Sequence, residues 1–77
     1  MTYPLRNPLL EIATKHVLKG RLMVVRQRQR IERLRALGCT TESAEQTLHQ
    51  IESSLAIFEA RERELNERFH IRKFAGN

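Results

Sequence analysis

The chain is short of the usual means of holding a small protein together. It has one cysteine, Cys39, so no disulfide can close within it and a secreted disulfide scaffold is excluded. His16, His49 and His70 are too dispersed along the 77 residues to form a metal site with Cys39. No stretch approaches the ~20 apolar residues of a membrane span, and "MTYPLRNPLLEIA" lacks a signal peptide's charged region followed by a continuous apolar run. A soluble protein of the reducing cytoplasm, with no membrane partner, is expected. No glycine-rich loop, nucleophile or second carboxylate accompanies Glu62, and a 77-residue chain offers little concave volume, so the protein is expected not to be an enzyme and to carry no cofactor or metal. Aromatic residues make up 5% of the chain and none is interleaved with the basic residues, which removes a base-stacking platform. Neither a helix-turn-helix nor a zinc-finger spacing is present. A chain this short is one domain, residues 1–77, and its single core leaves little net stability without a partner subunit.

Proline is confined to Pro4 and Pro8, and that scarcity defines what is there. Asn7 before Pro8 reads as an N-cap followed by proline at the first helical position, where its missing N–H is not needed. Helix 1 is expected over about 8–37, ending at Gly38 after Arg33 and Arg35, whose charges suit a helix C-terminus. The turn takes residues 38–40. Thr40 or Thr41 then caps helix 2, with Glu42 and Glu45 in its first turn, and this helix is expected to run over about 41–72. So short a loop folds the helices back antiparallel. Tyr3, Pro4 and Leu5 are expected to fold over the last turns of helix 2, towards Phe69 and Phe74, and "RKFAGN" to fray.

Apolar spacing tests this hairpin. Leu10, Ala13, Val17, Gly20, Val24, Gln27, Ile31 and Leu34 recur at alternating steps of three and four, the a/d seam of a heptad repeat. Helix 2 repeats the pattern with Ala44, Leu48, Ile51, Leu55, Phe58, Glu62, Leu65 and Phe69. Folding the seams together about the turn sets Ile31 against Leu48, Val24 against Leu55 and Leu10 against Phe69. Gly20 then falls opposite Phe58, where it is expected to make room for the ring. Gln27 and Glu62 are polar residues in the seam, of the kind that fixes register or oligomeric state; Glu62 falls near His16 and Arg61, where a buried pair is an open option. Carried to the flanks, the alignment faces Arg21, Arg28 and Arg35 with Glu59, Glu52 and Glu45, all at e positions. Three pairs in one column fix register and orientation more than they add stability.

The segment "VVRQRQRIERLR", residues 24–35, holds five arginines. Helix 1 carries eight Lys and Arg against Glu11 and Glu32, and helix 2 seven Glu against four Arg, so a basic helix is largely matched by an acidic one. The +5 net charge leaves a column of Lys19, Arg26 and Arg33, with Arg30 beside it, as candidate contacts for phosphate or for an acidic partner. The opposite flank, at the g positions, has no acidic residue, so it cannot form salt pairs within the hairpin. Leu18, Leu22, Met23, Val25 and Leu37 remain outside the seam and are assigned to a self-association surface. A basic helix lying on membrane is disfavoured, because the apolar face is already used by the hairpin.

"RQRQRIERLRALGCTTESAEQTL", residues 26–48, resembles the central segment of small, mostly uncharacterised bacterial helical-hairpin proteins. Gln27 or Gln29, Ile31, Leu34, Gly38, Thr41, Ala44, Glu45 and Leu48 carry that resemblance, which implies a fold and no activity. The expectation is an all-α, coiled-coil-like antiparallel two-helix hairpin, dimerising into a four-helix bundle. Functionally it reads as a non-enzymatic protein-interaction or oligomerisation module, its partner a second copy of itself or another protein. The alternative is a small basic nucleic-acid-associated protein binding phosphates through helix 1.

Overall fold

The computed structural model describes the backbone of residues 7–75 and side chains from residue 7 to residue 68. Two α-helices, α1 (Pro8–Ala36) and α2 (Glu42–Ala75), pack against each other, with no strand among the described residues. Among the described residues no helix is long and apolar enough to cross a membrane.

Local chemistry sets the ends of α1. Asn7 is extended, and its side-chain Oδ1 accepts from the N–H groups of Leu9 and Leu10 at 3.1 and 3.3 Å, which satisfies two donors that the first turn leaves without helical acceptors. Glu11 N–H makes the first full-turn bond, to the Asn7 carbonyl at 2.9 Å. At the other end Gly38 takes φ +73°, the left-handed conformation that glycine adopts without a Cβ penalty. That reversal lets Cys39 N–H donate to the Leu34 carbonyl at 2.9 Å and Gly38 N–H to the Arg35 carbonyl at 3.1 Å. These are the two bonds of a Schellman termination, and they point the chain back along α1.

Thr41 occupies the cap position of α2, its carbonyl accepting from Glu45 N–H at 2.8 Å. From there α2 runs 34 residues without a glycine or proline. The expected end near Arg72 is corrected: "RKFA" continues the helix to Ala75, because nothing before Gly76 breaks it. The expected packing of Tyr3, Pro4 and Leu5 lies outside the described residues, as do the side chains of Phe69, His70 and Phe74.

The core is a single seam. Ala13, Val17, Gly20, Val24 and Ile31 of α1 are buried, and Val17 is only 1% exposed. Among the described side chains of α2 only Ala44 is buried, while Leu48, Ile51, Leu55, Phe58 and Leu65 are half-buried. The asymmetry follows from size. Ala13, Val17, Gly20 and Val24 of α1 lie beneath larger side chains of α2, whose outer carbons stay partly exposed. With a radius of gyration of 17.9 Å and extents of 61 × 22 × 13 Å, the chain is one layer of two helices; a compact chain of this length has a radius of about 11.5 Å.

Candidate interaction surfaces

The two flanks of the hairpin differ in kind. On one, Arg21 donates to Glu59 at 3.0 Å, Arg28 to Glu52 at 3.1 Å and Arg35 to Glu45 at 3.2 Å. Each step of seven residues up α1 is matched by seven down α2, so the column closes this flank over the half of the hairpin nearer the turn. All six side chains keep substantial solvent access, which limits each pair to ~0.2–1 kcal/mol. Gln27 adds a bond inside the seam: its Nε2 donates to the Ala44 carbonyl at 2.8 Å, satisfying a half-buried polar group. Glu62 is half-buried and, among the described residues, forms no ion pair with His16 or Arg61.

The side chain nearest Gly20 is Leu55 rather than the expected Phe58, and that expectation is corrected. A Cβ at Gly20 would meet Leu55 first, with Cδ1 at 3.0 Å and Cβ at 3.6 Å. The Phe58 ring rests instead on His16, with centroids 5.1 Å apart and planes tilted by 48°. In antiparallel packing a seam residue sits between two residues of the opposite helix, and here the nearer is Leu55, one turn before Phe58.

The other flank is open. At its far end a depression lies between Leu9, Ile12 and His16 of α1 and Arg61 and Leu65 of α2. In the middle, Gly20 and Met23 face Ile51, Ser54, Leu55 and Phe58 across a mainly apolar hollow. Towards the turn, Met23, Gln27 and Ile51 continue the floor, and Arg26, Arg30 and Arg33 rim it. The middle and turn-end hollows share Met23 and Ile51 and form one groove, opened by the small Gly20 and Ser54, while the His16–Phe58 ring contact stands between this groove and the far depression. Arg26, Arg30 and Arg33 are thus brought together, and none has an acidic partner among the described residues. Lys19 is exposed in the same column but does not line the groove.

The residues assigned to self-association separate into three places. Leu18, Leu22 and Val25, at spacings of four and three, form one exposed patch on α1. Met23 lies in the groove. Leu37 caps α1, 77% exposed and away from both. Ile12 and Ile57 are also exposed apolar residues, at c positions that the seam analysis passes over as outward-facing. Cys39 is free and exposed in the turn. Comparison of the chain with protein-family models, with curated proteins and with solved structures gives no match, so the functional argument rests on these surfaces.

Proposed function

We propose that the protein is a non-enzymatic helical-hairpin interaction module that associates with a second copy of itself through the outer face of α1, as a cytoplasmic dimer of hairpins. The observation that carries this is the apolar patch of Leu18, Leu22 and Val25, 58%, 47% and 50% exposed in the middle of a 29-residue helix. Along the same stripe stand Glu11, Lys15, Gln29 and Glu32, a nearly neutral mixture that two copies can share without facing like charge in bulk. Area supports it too. The chain exposes 6667 Å², whereas a compact chain of this mass exposes about 4,900 Å². An excess on the order of 1,000–2,000 Å² is what each subunit of an obligate homodimer covers.

Light scattering on the eluting protein tests the proposal. Twice the 9.1 kDa chain mass is expected at tens of micromolar protein, and Leu22→Glu is expected to give a monomer that keeps its helical circular dichroism. A wild-type monomer throughout that range would refute it.

One observation favours a second reading. Lys19, Arg26, Arg30 and Arg33 have no acidic partner among the described residues, unlike the paired arginines on the closed flank, so they suit a polyanion. A small nucleic-acid-associated protein would bind duplex DNA or RNA with an affinity falling steeply with salt. Binding that is weak at low salt sets this reading aside.

A further inference from the structure

We propose that the open flank is a docking groove for an acidic amphipathic α-helix of another protein. The proposal rests on the interaction-module reading but uses a different face from the outer patch of α1. Three observations converge on that occupant. The floor of the groove is apolar, built from half-buried Ile51, Leu55 and Phe58 beside Gly20 and Met23, and a phosphate backbone has no use for it. Its rim is cationic where Arg26, Arg30 and Arg33 stand at i, i+4 and i+7, about 10 Å along one face.

Among the described residues no carboxylate is paired with those guanidinium groups on this flank. The facing α2 residues in the middle of the groove are Gln50 and Ser54, and the acid lining the far depression on the same flank, Glu64, is held by Arg68 at 2.6 Å.

Charge also excludes a second copy from this groove. Two such flanks laid face to face set Arg26, Arg30 and Arg33 against themselves when parallel, or against Arg61 and Arg68 when antiparallel. A helix with a leucine or isoleucine stripe and glutamates at i, i+4 and i+7 beside it meets both the floor and the rim. From Gly20 to Arg33 the groove takes a helix of about 14 residues.

The test uses the full chain and a panel of synthetic helical peptides of about 20 residues, read by fluorescence anisotropy. Panel members vary the stripe among leucine, isoleucine and mixed leucine and alanine, each with glutamate flanks. The controls keep the stripe with lysine flanks, or keep the glutamates in an order that erases the stripe. At least one glutamate-flanked stripe is expected to bind, with both controls weaker by about tenfold or more. Combining Arg26→Glu, Arg30→Glu and Arg33→Glu is expected to reverse the preference towards the lysine-flanked peptide. Ser54→Arg, which fills the hollow from an exposed position, is expected to weaken binding with helicity unchanged. Leu22→Glu is expected to leave it intact.

Absence of binding across the panel, equal binding of the erased-stripe control, or displacement of the peptide by DNA duplex at equal charge concentration would overturn the proposal. Peptide binding by a wild-type monomer would refute self-association alone. A dimer that binds no panel member would refute the groove assignment alone.

Discussion

Replacing Gly20 by alanine tests the packing of the seam at its narrowest point. Two effects oppose each other. Alanine is favoured over glycine in a helix interior by about 1 kcal/mol, while the new methyl would sit 3.0 Å from Leu55 Cδ1, several tenths of an ångström inside comfortable contact. Leu55 is half-buried beside an open hollow, and Cδ1 is the end of a flexible side chain. Turning it outward costs about 0.5–1.5 kcal/mol. Gly20→Ala should therefore change stability by less than about 1 kcal/mol, whereas Gly20→Val, with two further carbons and a stiff β-branch, should lose about 1–3 kcal/mol.

The decisive measurement is a pair of double-mutant cycles, by urea denaturation followed at 222 nm and at matched protein concentration. Gly20→Ala should couple to Leu55→Ala by about 0.5 kcal/mol or more, because truncating Leu55 removes the atom the methyl meets. It should be additive with Phe58→Ala within about 0.5 kcal/mol, since that ring rests on His16. Coupling to Phe58 without coupling to Leu55 would refute the packing described above.

Exchanging the Arg28–Glu52 pair should separate register from stability. Arg28→Glu or Glu52→Arg alone sets like charges opposite each other and should cost about 0.5–1 kcal/mol, and the double exchange should restore stability to within about 0.5 kcal/mol in low-salt melts; failure to restore it would sink the register. Asn7→Ala removes the acceptor of two N–H groups and should cost about 1 kcal/mol, a melting shift of about 4–8 °C, while Asn7→Ser should retain most of the stability. At Gly38 an added Cβ meets nothing within 4 Å, so the loss from its positive φ is purely conformational. Gly38→Ala and Gly38→Lys should each lose about 1–2 kcal/mol, and a much larger loss for lysine would show a clash that the structure lacks. Gln27→Leu removes the bond to the Ala44 carbonyl and adds apolar contact, so stability should hold or rise while light scattering shows a less uniform assembly. A single species of unchanged mass would show that Gln27 does not specify assembly.

Much of the fold is legible from the sequence because heptad geometry ties local pattern to long-range register. Once Gly38 fixes where the chain turns, the seam determines which flanking residues meet, and the three Arg–Glu bonds fall where the e positions align. Heptad alignment is blunter within a turn. It places Gly20 opposite the Leu55 to Phe58 turn without deciding between them, since the choice depends on how deeply each side chain inserts. The end of α2 is hidden for another reason: a charged terminal stretch is compatible with fraying or with helix, and only the absence of a breaker before Gly76 separates the two. The groove is less legible still. The acid-free flank shows in the pattern, but the hollow exists because Gly20 and Ser54 are small on the same side of a packed pair. Apolar residues counted along α1 point to Leu18, Leu22 and Val25, on a different face.

The arginines show why charge counting alone does not assign a role. In the run Arg26, Arg28, Arg30 each step of two residues turns the helix by about 200°, which sends alternate arginines to opposite flanks. Arg28 then falls with Arg21 and Arg35 at a seven-residue repeat facing glutamates, and Arg26 falls with Arg30 and Arg33 beside an apolar floor. The first set is occupied in holding two helices in register, and its charge is largely cancelled within the chain. The second set has a field that nothing beside it neutralises and a groove that gives the field a shape. A surface with both properties would select partners by charge and by helical stripe together, and that double requirement is what would separate the proposed helix-binding face from a merely basic one.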